Sequence, residues 1–120
     1  MGDHRQLVGY QKAFSLAMDI FQLAKKFPQE EKYSLTDQLK RSSRSVCANI
    51  AEAYKRRRYP NYFVSRLSDA QAENTETQVW LDFALECGYL EKSIYDELSR
   101  KNDETARLIF YMINNPLKFT

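Results

Sequence analysis

The chain has very little with which to break a helix. Its 120 residues contain three glycines and three prolines, and the breakers that matter fall at wide intervals: Phe27-Pro28, Tyr59-Pro60, Gly88 and Asn114-Asn115-Pro116. The residue before a proline is pushed out of the α region, proline lacks an amide donor, and glycine takes the left-handed conformation that caps a helix. Between these points apolar residues recur at steps of three and four, the period of a helix with one buried side. Few turns mean few, long elements. Four amphipathic helices are predicted, over about residues 6–26, 34–58, 60–86 and 91–114, joined by three short links. Short links make successive helices antiparallel neighbours, so the expected fold is a single all-α domain over 1–120, an up-down-up-down four-helix bundle.

The apolar seams follow from the same period. Leu7, Tyr10, Phe14, Ala17, Phe21 and Ala24 form one in the first helix, with Ala13, Ile20 and Phe27 beside it. Leu35, Leu39, Ser43, Val46, Ile50 and Ala53 form the second; Phe63, Leu67, Ala70, Asn74, Thr77, Leu81 and Ala84 the third. In the fourth the spacing selects Ile94, Leu98, Thr105, Leu108 and Met112. Ser34 is expected to cap the second helix, with Asp37 in its first turn, and Gly88 to close the third. Cys47 and Cys87 have neither CxxC spacing nor a partner cluster, and are expected to be reduced, buried small hydrophobes of a cytoplasmic protein. No stretch approaches the roughly 20 apolar residues of a membrane span.

The second helix carries more than a seam. Gln38, Arg41, Ser45, Asn49, Glu52 and Arg56 make a wholly polar stripe beside it, and Lys40, Arg44, Lys55 and Arg58 a basic face on the far side. Net charge is only +2, but its distribution is uneven. Residues 38–66 hold eight basic side chains against one acid, Glu52, whereas residues 67–106 hold ten acids against three bases. Either a polyanion-binding face or a basic helix lying beside an acidic one satisfies this pattern. Within the basic segment, Lys55, Arg56, Arg57, Arg58 and Arg66 are the candidate phosphate contacts. Tyr59 and Tyr62 are candidate rings for stacking on unpaired bases. A run of charges at a helix end is also what a solvated terminus looks like.

Two further groups have competing readings. Glu73 and Glu76 lie one turn apart and could do acid–base work or hold a hard cation; the stronger reading pairs them with Arg41, Arg56 or Arg66. Asn49 and Glu52, with Gln38, Arg41 and Ser45, could fix register between subunits or merely face solvent. Along the third helix Arg66, Asp69, Glu73, Glu76, Trp80 and Phe83 form a second stripe whose aromatic end calls for burial against something. Nothing points to an enzyme: His4 is the lone histidine, no Glu-x-x-His pair could build a di-iron site, and no glycine-rich phosphate loop exists. No cofactor or metal is expected.

At the second helix the chain resembles a known family. Gln38 to Glu52, QLKRSSRSVCANIAE, is similar to the QIRRAAxSIxANIAEG signature of the bacterial 23S rRNA intervening-sequence proteins. The likeness extends to Leu7–Ala13, to Phe27-Pro28 with Glu31-Lys32-Tyr33, and to Glu76–Leu81 with Gly88-Tyr89-Leu90. Tyr10 replaces a tryptophan, Ser34 a glycine of the loop, and Ala53 the usual glycine, so the second helix should run on more rigidly. The chain also resembles the accessory variability-determinant proteins of diversity-generating retroelements, basic pentamers that bind nucleic acid and a reverse transcriptase. The resemblance implies a bundle assembled into a ring-like homopentamer, and the basic end of the second helix makes binding of structured RNA or other nucleic acid the expected function. Gln38, Arg41, Ser45, Asn49, Glu52, Glu73, Glu76 and Trp80 are then the expected subunit interface. The alternative is an oligomeric protein–protein adaptor without nucleic-acid contact.

Overall fold

A computed structural model describes residues 2–120. Four helices account for most of it: α1 (Val8–Ala24), α2 (Leu35–Lys55), α3 (Pro60–Glu86) and α4 (Lys92–Asn114). Three short 3-10 turns, His4–Gln6, Gln29–Glu31 and Pro116–Lys118, decorate the ends. α1 packs on α2 and α4, and α3 packs on α2 and α4, so α1 and α3 face each other across the diagonal of an antiparallel four-helix bundle. The body measures 44 × 25 × 21 Å.

The predicted seams of α2 and α3 are buried at every position. α1 and α4 are rotated from expectation. The inward line of α1 is Gly9, Ala13, Leu16, Ala17, Ile20 and Ala24, while Phe14 stands half exposed and Phe21 half-buried. The helix is apolar on most of its circumference, so period alone does not choose a face. In α4 the buried line is Leu98, Asn102, Thr105, Ile109 and Met112, with Ile94 exposed and Leu108 at the margin. A buried asparagine displaces the expected pattern.

That asparagine belongs to a polar layer across the middle of the bundle. Asn74 and Asn102 are reciprocal: each side-chain amide donates to the other residue's main-chain carbonyl at 3.0 Å. Beside them the hydroxyls of Ser42 and Thr77 meet at 2.9 Å, and Thr105 donates to the carbonyl of Lys101. The layer divides the core in two. Towards one end lie Ala13, Ala17, Val46, Cys47, Ile50, Ala53, Phe63, Leu67, Ala70, Ile109 and Met112. Towards the other lie Leu16, Ile20, Phe27, Leu35, Leu39, Leu81, Ala84, Leu90 and Leu98.

Helix ends depart from expectation for local reasons. α1 starts at Val8 because Leu7 is extended and residues 4–6 form a separate turn, capped by Asp3 accepting from the Arg5 amide. Ser34 is at the start of α2 but makes no side-chain cap; its hydroxyl donates to Glu31 Oε1 at 2.6 Å, and that same oxygen accepts from the Leu35 amide. Glu31 is the cap, reached from outside the helix. It also accepts from the Tyr89 hydroxyl at 2.7 Å, tying the first link to the third. α2 stops at Lys55, three residues short of the expected end. Tyr59 must be extended before Pro60 (φ −108°, ψ 91°), so the reversal into α3 consumes Arg56 to Arg58. Gly88, at φ 76°, closes α3 as expected, with the Tyr89 amide donating to the Ala84 carbonyl. Cys47 is buried, and burial pushes its thiol pKa up to about 11. Cys87 is exposed, contrary to expectation, because it sits just past the last turn of α3.

Candidate nucleic-acid interface

The α2–α3 turn gathers the predicted basic residues at one end of the bundle. Lys55, Arg57, Arg58 and Tyr59 line an open cleft of about 500 Å³, with Thr120 on its rim. The four cations from Lys55 to Arg58 share one property: among the described residues, none forms an ion pair with a carboxylate. They are not equally free. Arg57 is half-buried, donates to the Tyr54 carbonyl at 3.0 Å and lies 4.0 Å over the Tyr54 ring. It is held in place while still lining the cleft. Arg56 rests over the Tyr62 ring at 5.3 Å. Lys55 and Arg58 are exposed and line the cleft.

Arg66 has a different environment. Its guanidinium meets Glu52 at 3.0 Å and Asp69 at 3.2 Å, donates to Asn49 Oδ1, and contacts the Tyr62 hydroxyl. The hydrogen bond with Tyr62 and the Glu52 charge hold its proton still more firmly. Its charge is thus locally compensated, and it joins α2 to α3. Tyr62 lies between Arg56 and Arg66. Tyr59 is 56% exposed with neither a cation nor a second ring over it among the described residues.

The residues expected at a subunit interface lie along the α2–α3 face. There they bond largely within the chain. Arg41 donates to Glu76 at 2.9 Å and to Gln38 at 3.2 Å, and sits 3.6 Å from Glu73, an ion-pair distance beyond hydrogen-bonding range. Asn49 donates to the Ser45 carbonyl at 3.0 Å, and Glu52 holds Arg66. Arg41, of the three candidate partners, is the one that both glutamates engage. Two polar atoms on this face remain buried without a hydrogen-bond partner, Glu73 Oε1 and Trp80 Nε1. Trp80 borders a second cleft with Tyr33, Leu35, Gln38, Phe83 and Cys87, in which Tyr33 is 86% exposed.

A match to the family model described as "23S rRNA-intervening sequence protein" runs over residues 5–111. The chain belongs to that family. A crystal structure from Bacteroides thetaiotaomicron VPI-5482, of a protein of unknown function from the S23 ribosomal protein family, is similar to this intervening-sequence protein with a TM-score of 0.81. It is 28% identical, and the match covers 89% of this chain and 96% of that one. No curated relative matches in sequence. Among the described residues of this family member, no group of three or more His, Cys, Asp or Glu could hold a metal ion, and no helix is long and apolar enough to cross a membrane.

Sequence reasoning misses one surface. Tyr10, Phe14, Met18 and Phe21 of α1 form an apolar groove against Ala48 and Ala51 of α2, with Arg44 at its edge. The available signal is the apolar surplus of α1, which exceeds what one buried face can absorb.

Proposed function

We propose that this intervening-sequence protein is a non-enzymatic, cytoplasmic homo-oligomer, a pentamer by family likeness, that binds structured RNA or other nucleic acid through the α2–α3 turn. One observation carries the reading: four consecutive cations crowd a single turn and, among the described residues, none of them forms an ion pair. Mutual repulsion there works against the fold, and a polyphosphate backbone would relieve it. Lys55 and Arg58 make the freest phosphate contacts, Arg56 and Arg57 follow, and Arg66 contributes least because Glu52 and Asp69 already hold it. Changing all four residues from Lys55 to Arg58 to alanine is expected to weaken binding. It should also flatten the plot of log affinity against log salt by about 0.7–0.9 for each phosphate no longer engaged. An unchanged slope would remove these residues from the interface.

In the oligomer the α2–α3 face, with Gln38, Arg41, Ser45, Asn49, Glu52, Glu73, Glu76 and Trp80, forms the subunit contact. The aromatic end of this face, where Trp80 lies beside the exposed ring of Phe83, supports this, since an apolar patch continuing a charged stripe calls for burial against something. The double change Asn49→Ala with Glu52→Ala should shift sedimentation towards monomer; an unaltered oligomer would leave that stripe to intrachain bonding alone. The exposed Tyr33 and Phe83 beside Trp80 favour a second reading, a protein–protein adaptor. Partners that survive nuclease treatment in a pull-down support the adaptor; partners that vanish support nucleic acid.

A further inference from the structure

Three tyrosines surround the basic turn, and their rings are in different states. Tyr54 is covered by Arg57 at 4.0 Å, and Tyr62 is approached by Arg56 at 5.3 Å and Arg66 at 5.9 Å. Tyr59 alone of the three has an uncommitted ring, and it lines the same cleft as Lys55, Arg57 and Arg58. Its position is imposed by the backbone. As the residue before Pro60 it is extended, and its main-chain amide donates to the Arg56 carbonyl. The ring is therefore presented by a rigid corner of the chain, which lowers the entropy lost on stacking.

We infer that this cleft takes an unpaired nucleotide of RNA or DNA, its phosphate on Lys55 and Arg58 and its base on the ring of Tyr59. The inference rests on the nucleic-acid reading above and narrows it to strands whose bases are free. Phosphate contacts are available on any nucleic acid, but bases inside a duplex are already stacked on one another and offer no face to a side chain. A cleft of about 500 Å³ also matches the size of one small ligand. Arg57, fixed by Tyr54, supplies a third positive charge without having to be ordered on binding. The acid in the adjoining small cleft, Asp3, is engaged by Arg5 and does not cancel these charges.

The experiment is fluorescence anisotropy on the full chain at fixed salt, with short labelled oligo(U), oligo(dT) and a blunt RNA duplex of equal length. Native protein, Tyr59→Ala, Tyr59→Phe and Tyr62→Ala are compared, with circular dichroism melts confirming that each variant folds. Native protein should bind both single strands at least roughly fivefold more tightly than the duplex, the low end of what one base–aromatic stack contributes. Tyr59→Ala should remove that preference while changing duplex affinity less than about twofold, and Tyr59→Phe should keep it, since stacking needs the ring and not the hydroxyl. Tyr62→Ala should leave the preference in place. Equal binding of oligo(U) and oligo(dT) supports recognition by base and phosphate alone; tighter binding of either one supports the same site with that nucleic acid as its source. Binding with no preference for single strands, or an equal loss on all three probes in Tyr59→Ala, overturns the inference and leaves the phosphate reading standing. No binding of any probe at low salt overturns both.

Discussion

Where α2 begins and α3 ends, the chain closes on itself: Glu31 caps α2, receives Ser34, and reaches across to Tyr89, while Gly88 seals α3. The core behind is rich in leucine, with Leu16, Leu35, Leu39, Leu81, Leu90 and Leu98. At the opposite end, where α2 turns directly into α3, the core runs to small residues, Ala13, Ala17, Cys47, Ala53 and Ala70, around Phe63. Outside it sit four cations without counter-charges and an open tyrosine. One end satisfies its polar groups locally; the other fixes Arg57 on Tyr54 but leaves Lys55, Arg58 and Tyr59 for something else. Groups that do nothing for the fold are where function is best sought, because packing and capping do not account for them.

The largest expected effect tests whether the two cores are one cooperative unit. Phe63→Ala empties a fully buried site that also packs on Phe119, and should cost about 3–5 kcal/mol in urea denaturation. Its loss should lower a single transition for the whole bundle. Two separate transitions would mean that the polar layer isolates the halves. Next, Asn74→Ala keeps the main-chain carbonyl that accepts from the Asn102 amide but removes the side-chain acceptor and donor that face Asn102, and should cost about 1–3 kcal/mol. Asn74→Leu combined with Asn102→Leu should recover much of that. A double-mutant cycle with no coupling would show that the pair contributes no more than its separate parts.

A smaller effect concerns the closed end. The Ser34 hydroxyl, the Tyr89 hydroxyl and the Leu35 amide hold the Glu31 carboxyl below its ordinary value of 4.5, so its stabilisation is present above that pH and is lost as pH falls through the lowered folded value. The Glu31 carboxylate in turn pushes the Tyr89 phenol up to about 12, so that contribution is complete below pH 10 and disappears as pH rises through about 12. Glu31→Gln should therefore melt lower than native protein at neutral pH, with the gap narrowing in acid. A gap independent of pH would sink the assignment. The smallest effect on stability belongs to the open end. Alanine at Lys55 and Arg58, the two cations without a partner ring or hydrogen bond among the described residues, should change unfolding free energy by no more than about 0.5 kcal/mol, or raise it slightly, although binding suffers. A marked loss of stability would make the turn structural after all.

The bundle is legible in the sequence because the three-and-four spacing of α2 and α3 runs unbroken through Ser43, Asn74 and Thr77, and all thirteen of their predicted seam positions are buried. α1 defeats the same reasoning because its surplus of apolar residues gives period analysis two acceptable faces. α4 defeats it because Asn102 looks like a surface residue until Asn74 is placed opposite. The charge run at Lys55 to Arg58 is visible as composition. Its division into fixed Arg57, Tyr62-bound Arg56 and free Lys55 and Arg58 is not, because that depends on which ring each side chain reaches. Arg66 illustrates the same limit: Glu52, on the neighbouring helix, neutralises it only because α2 and α3 pack side by side.

The reciprocal asparagine pair also bears on how the chain finds its fold. Sliding α4 along α3 by one turn would keep most leucines in apolar surroundings, so hydrophobic burial alone discriminates poorly between docked arrangements. It would, however, set Asn74 against Leu98 and break the reciprocal pair, at about 1–3 kcal/mol for each side-chain amide left without an acceptor. A wrong register is thereby penalised even where its apolar burial is adequate. The layer gives the two helices a preferred alignment that leucine packing alone does not supply.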